Sequence, residues 1–241
     1  MTGLADGAPW PWCFDGDSWR ADLETSGTGI LVGDDGFHKF SLTRWFVERD
    51  FEKLGAWIDE ETPLGAPALI RCKFATRPGE GPRYAQIDFS LSPKMSLPFD
   101  FWSEDFVEIV GARRAMWINL CSAAGDRTLF RGIEMSASPV FPPIAVFVDG
   151  KVKTCLHDIS AAERNWSTSL VAETTHFLKG IREGGSPIYS GAEGREITRY
   201  AMAAYLSAQE HRGIYLSEIT TEAERQGKLQ LKSNFCNFPQ D

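Results

Sequence analysis

Two residues, Asp149 and Gly150, stand between Ile144-Ala-Val-Phe-Val148 and Lys151-Val-Lys-Thr-Cys-Leu156, and this arrangement narrows the possible folds more than any other. Asp-Gly suits the positive φ angles of a two-residue hairpin turn, so the flanking apolar runs are expected to pair as antiparallel strands. The pattern recurs upstream. Ala68-Leu-Ile-Arg-Cys-Lys-Phe74 and Tyr84-Ala-Gln-Ile-Asp-Phe-Ser-Leu91 flank the turn-rich Arg77-Pro-Gly-Glu-Gly-Pro82, and Phe106-Val-Glu-Ile-Val110 and Ala115-Met-Trp-Ile-Asn-Leu120 flank Gly111-Ala-Arg-Arg114. Lys53-Leu-Gly-Ala-Trp-Ile-Asp59 adds a strand before the breaker Thr62-Pro-Leu-Gly-Ala-Pro67. Strands joined locally in this way make a mainly antiparallel sheet.

On either side of these strands the apolar spacing turns helical. Phe37, Phe40, Leu42, Trp45 and Phe46 recur near i, i+3, i+4 and i+8, which predicts a helix with one buried face. Ser160 to about Gly184 reads as a second helix, with Val171, Thr174, Phe177, Leu178 and Ile181 on one face and Gly184-Gly185 as its stop. Ala192 to about Gln209 reads as a third, with Ile197, Tyr200, Ala201, Ala204, Tyr205 and Ala208 on one side, followed by a short strand over Ile214-Tyr-Leu-Ser-Glu-Ile219. The fold class is therefore α+β, a mainly antiparallel open sheet with helices packed on one face. Residues 1–26, with Trp10, Trp12 and Trp19 among Gly, Pro and Asp, read as an irregular lead-in, 27–219 as the α+β domain and 220–241 as a peripheral tail. The sheet face away from the helices is expected to be solvated or, where apolar, covered by a partner.

Composition removes several functional classes. At 241 residues with 43% hydrophobic and 24% charged residues, the chain matches ordinary globular protein. Its net charge of -8 and the lack of any Lys/Arg-rich run argue against a nucleic-acid or anionic-membrane partner. Five scattered cysteines, Cys13, Cys72, Cys121, Cys155 and Cys236, form no C-x-x-C and signal neither a zinc site nor a disulfide framework. With no basic-then-apolar leader and no span-length apolar run, the expected location is cytoplasmic.

Glycines, two carboxylates and a histidine meet in one stretch, Gly27-Thr-Gly29-Ile-Leu-Val-Gly33-Asp34-Asp35-Gly36-Phe37-His38-Lys39-Phe40. The glycines do not read as a dinucleotide loop: the third is one place late for Gly-x-Gly-x-x-Gly, and no apolar strand precedes them. Asp34 and His38 are four residues apart and share a face if the helix begins at or before Asp34. They read in two ways. As a functional pair, a histidine that titrates near neutral pH works with a carboxylate in acid/base chemistry, and the glycines let a ligand approach the backbone. As a structural pair, Asp34 or, better, Asp35 caps the helix and His38 is partly buried. His157, His176 and His211 fall at turn or helix-flank positions, and no nucleophile elbow, Ser-His-Asp order or P-loop is present.

The Gly-rich run, Asp34-x-x-x-His38 with Gly36 between, and the helix through Trp45 resemble the motif that opens the second half of the Gfo/Idh/MocA family of oxidoreductases. Thr175-His-Phe-Leu-Lys-Gly-Ile-Arg-Glu-Gly-Gly-Ser-Pro-Ile-Tyr-Ser-Gly-Ala-Glu-Gly-Arg195 and Ala201-Met-Ala-Ala-Tyr-Leu-Ser-Ala208 resemble its closing helix pair. Ala56-Trp-Ile-Asp59, Ala66-Pro-Ala-Leu-Ile70 and Phe106-Val-Glu-Ile-Val-Gly111 resemble its sheet strands, so the likeness covers about residues 17 to 219.

The resemblance implies an α+β domain that shapes a substrate site and often forms the subunit interface. His38 would be the acid/base at the substrate hydroxyl and Asp34 its partner, with Lys39 and Arg20 as substrate contacts. The substrate class would be a sugar, cyclitol or related hydroxylated ring, oxidised or reduced with NAD(P). The family's N-terminal Rossmann domain and its Glu-Lys-Pro segment have no counterpart here. The chain alone is therefore expected to bind no cofactor and to be inactive, a truncated or split form that forms a homo-oligomer or pairs with a Rossmann-containing partner. The alternative is a non-catalytic binding or scaffold protein that dimerises, or pairs with a full-length relative, through its sheet.

Overall fold

The computed structural model describes residues 2–5, 19, 25, 30–59, 67–92, 103–119, 129–130, 133–134, 144–149, 151–154 and 166–221. In chain order these form β1 (Thr2–Ala5), a π-helical turn (Ile30–Asp35), α1 (Gly36–Val47), β2 (Phe51–Ile58), β3 (Ala68–Phe74), β4 (Tyr84–Ser92), β5 (Ser103–Val110), β6 (Arg114–Asn119), β7 (Leu129–Phe130), β8 (Ile133–Glu134), β9 (Ile144–Val148), β10 (Lys151–Thr154), α2 (Trp166–Glu183), α3 (Gly191–Glu210), β11 (Ile214–Tyr215) and a 3-10 turn (Leu216–Glu218). Helices and antiparallel sheets together make an α+β fold. The chain divides into two compact units, Met1–Pro9 with Leu91–Ile188, and Trp10–Ser90 with Tyr189–Asp241. The sequence reading had placed 27–219 in one domain.

In the first unit, β1 pairs with β5, β5 with β6, β6 with β9 and β9 with β10, all antiparallel. The β9–β10 turn forms as its sequence dictates, with Asp149 at φ 48. Trp117 and Phe147 pack edge to face at 4.8 Å, and Trp117 Nε1 donates to Glu108 across the β5–β6 pair at 2.8 Å. β1 corrects the expectation of an irregular lead-in over its four residues. α2 ends at Gly184, whose φ of 71 lets Gly185 N reach Gly180 O at 2.9 Å. The expected buried face of α2 is a second correction: Val171, Phe177, Leu178 and Ile181 are all exposed.

Among the described residues, most of the buried apolar side chains lie in the second unit. β11, β2, β3 and β4 form an antiparallel sheet in that order, with Leu54, Cys72 and Ala85 in one cross-strand row and Ala56, Ile70 and Ile87 in the next. α3 lies on β2, and α1 packs against α3. Phe51 is the hub, 4.4 Å from Tyr200 of α3, 4.7 Å from Phe74 of β3 and 6.2 Å from Phe40 of α1, ring to ring. Ile197, Tyr200, Ala201, Ala204, Tyr205 and Ala208 are all buried, as their spacing predicts.

Polar side chains lock this packing. Ser207 Oγ accepts from Ala56 N at 2.9 Å and donates to Arg212 O at 2.6 Å. Arg199 donates to Leu216 O and to Ile219 O, and Glu218 accepts from Tyr215 N at 2.8 Å. These bonds tighten the chain after Tyr215 into a 3-10 turn, so the strand expected over Ile214 to Ile219 stops after two residues. In β2 the register shifts between Phe51 and Lys53, a bulge opposite Phe74 and Lys73.

Candidate functional site

Residues 30–35 turn as a π-helix that runs into α1 at Gly36. Leu31 and Val32 are buried and anchor the turn. Gly36 sits where space is short: a Cβ there would stand 3.3 Å from Leu31 O, 3.4 Å from Phe40 and 3.6 Å from Phe89. The inward side of the first helical turn is thus fixed by Gly36 and Phe40, and the next residues around the helix face outward.

Asp34 lies in helical backbone and is exposed, as is His38. The expectation that helical structure includes Asp34 is met, though as a π turn and not as the first turn of an α-helix. His38 packs edge to face against Phe37, with ring centroids 5.7 Å apart. Asp35 occupies the cap position of α1, but its side chain makes no capping bond; it pairs instead with Lys39 at 3.4 Å. Lys39, expected as a substrate contact, is the other member of that ion pair. Arg20 and His157 lie outside the described residues. His176 accepts from Ile188 N at 3.2 Å, and His211 ends α3 in a left-handed conformation with φ 53.

The apolar stripe expected to bury α1 is only partly inside. Gly36 and Phe40 are buried, whereas Phe37 is 39% and Trp45 is 60% exposed. Asp34, Phe37, His38 and Trp45 thus share the outward side of the helix, where sequence reading had assigned the aromatics to the core. Tyr189, singled out by no sequence signal, reaches the same helix: its hydroxyl donates to Ser41 O at 2.9 Å, one turn beyond His38. A proton-exchanging imidazole beside exposed aromatic rings can hold the apolar C–H face of a hydroxylated ring while exchanging a proton with its hydroxyl.

A pyrophosphate is held where a Gly-rich turn joins a strand to a helix N-terminus. Among the described residues, a π-helical turn and not a strand precedes α1. Among the described residues no group of His, Cys, Asp and Glu could hold a metal ion, and no helix is long and apolar enough to cross a membrane.

No protein-family model matches the chain, and no curated protein does. Solved structures match at the level of fold. An oxidoreductase from Agrobacterium radiobacter, in complex with NAD+, L-tartaric acid and magnesium, matches with a TM-score of 0.56 at 17% identity, over 91% of this chain and 56% of that one. The aldose-aldose oxidoreductase from Caulobacter crescentus, complexed with glycerol, gives 0.54 at 16% identity, over 89% and 54%. GenD2 from gentamicin A biosynthesis, in complex with NAD, gives 0.56 at 18% identity, over 89% and 54%. The chain spans little more than half the length of these proteins, and its fold is similar to part of theirs.

Proposed function

We propose that this chain is the substrate-binding half of a Gfo/Idh/MocA-type oxidoreductase that acts on a sugar, cyclitol or related hydroxylated ring. The observation that supports it most is the outward side of α1, where His38 and Asp34 stand clear of the core beside Phe37 and Trp45. In this reading the ring lies against the aromatics and His38 takes or returns the proton of the reacting hydroxyl. Asp34, four residues earlier, is its carboxylate partner in this reading. In this reading the redox cofactor is held by another domain or chain.

Binding of aldoses and polyols to the purified chain, followed through the His38 ring resonances by NMR, tests this reading. A saturable shift at His38 that His38→Ala and Asp34→Asn abolish supports it. Binding that survives both substitutions, or no binding across the panel, overturns it.

A second reading, a scaffold that associates through its sheet, draws on a different observation. The outward face of the four-stranded sheet carries Trp57 at 65% and Tyr84 at 68% exposure, with Tyr215 exposed beside them. A monomer at high concentration in analytical ultracentrifugation, with His38-dependent sugar binding, would exclude it.

A further inference from the structure

The outward face of the β11-β2-β3-β4 sheet contains a cleft of about 580 Å³. Its walls are Lys53 of β2, Arg71 and Lys73 of β3, and Tyr84 and Gln86 of β4, and its floor runs over Leu54, Gly55, Cys72 and Ala85. Register assembles this set. Lys53, Lys73 and Tyr84 form one cross-strand row, and Gly55, Arg71 and Gln86 form the next. Three cations therefore converge on a protein of net charge -8, although no basic run exists in the sequence. Gly55 leaves the middle of the floor open, because nothing lies within 4 Å of the place its Cβ would take.

The cations are positioned, Lys53 and Arg71 over aromatic rings and Lys73 by an ion pair. Gly213 makes room for Lys53: a Cβ there would lie 2.5 Å from Lys53 Cε, and the ammonium rests 4.5 Å over the Tyr215 ring. Arg71 lies 5.6 Å over the Trp57 ring, which supports one face of the guanidinium and keeps its N–H fork in plane for an acceptor. Lys73 pairs with Glu52 at 2.8 Å. Glu218, the carboxylate near Lys53, is held by Arg212 at 2.7 Å. Stacked cations beside hydroxyl and amide donors match the geometry of a compact oxyanion carrying more than one charge.

We infer that this cleft is an oxyanion site that takes a phosphate group, with Arg71 as the bidentate donor and Lys53 and Lys73 as flanking charges. The phosphate can be free or the monoester of a small molecule, which a cleft of this size accommodates. The site lies on the face of the sheet away from α3 and does not depend on the role of His38.

Calorimetric titration of the full chain with inorganic phosphate and with glucose 6-phosphate, against glucose as the uncharged control, tests the inference. Saturable binding of either phosphate but not of glucose is expected, weakening as salt rises. Arg71→Gln and Lys53→Gln should each weaken it by about tenfold or more, and Gly213→Ala, which displaces Lys53, should also weaken it. Tighter binding of the ester than of phosphate identifies an organic phosphate as the ligand; equal binding identifies the free anion. No saturation up to about 10 mM, or binding that Arg71→Gln and Lys53→Gln leave unchanged while circular dichroism shows both variants folded, overturns the proposal.

Discussion

Ser207 of α3 accepts a hydrogen bond from Ala56 N of β2 at 2.9 Å, so one hydroxyl ties the longest helix to the centre of its sheet. The same oxygen donates to Arg212 O, at the point where the chain leaves α3 for β11. Ser207→Ala leaves a buried amide and a carbonyl without this partner. The expected cost is about 2 to 3 kcal/mol, read as a lower urea midpoint at unchanged slope.

Gly36→Ala tests how tightly the first turn of α1 is seated. The added methyl meets backbone at Leu31 O, which cannot rotate away, and the rings of Phe40 and Phe89. A loss of about 1 to 3 kcal/mol is expected, with the His38 ring resonances shifting as the turn is pushed off the sheet.

His38→Ala and Asp34→Asn should leave stability within about 0.5 kcal/mol, because both side chains are exposed. In an assay reconstituted with a nucleotide-binding partner, His38→Ala should cost about 10²- to 10⁴-fold in turnover. Activity within about twofold of the parent would remove His38 from the chemistry.

The isolated chain should show neither NAD(P) binding by calorimetry nor dehydrogenase turnover. In this reading the cofactor is held elsewhere, and the glycines before α1 depart from Gly-x-Gly-x-x-Gly spacing. Tight binding of either nucleotide would contradict the assignment of this chain to the substrate half.

Acid should destabilise the second unit through named carboxylates. Arg49 holds Glu80, Ser190 holds Glu193 and Arg212 holds Glu218, each below its ordinary value of 4.5. A carboxyl lowered in the folded state binds its proton more readily when unfolded. Its stabilisation is therefore complete above pH 4.5 and is lost as pH falls through the lower folded value. Thermal midpoints should fall as pH drops below 4.5, and high salt should flatten the change.

Much of the sheet was legible because its turns are local chemistry. Ala68 to Phe74 forms β3 within the limits that its alternation suggests, and Asp149 adopts the positive φ that Asp-Gly implies. α3 was equally legible, since its buried positions repeat with helical period. β11 was not: side chains of Arg199 and Glu218, from two separate elements, turn the backbone after Tyr215, and no alternation within six residues encodes that. The exposed side of α1 was misread for a related reason. Phe37 and Trp45 are apolar enough for a core, but the place beside the sheet is filled by Gly36 and Phe40. Asp34 and His38 were singled out by spacing and both stand exposed, whereas Tyr189 reaches α1 through a contact with Ser41 across 148 residues.

The bulge in β2 has a consequence for how that strand tolerates change. Side chains along a strand follow even and odd positions, and one additional residue resets the count. Before the reset Phe51 joins the aromatic hub; after it Leu54, Ala56 and Ile58 point to the core while Lys53, Gly55 and Trp57 point away. Glu52 is thus the added residue that sets the count, while its carboxylate pairs with Lys73. Substituting it preserves both faces, but deleting it would put either Phe51 in solvent or Lys53 among the phenylalanines.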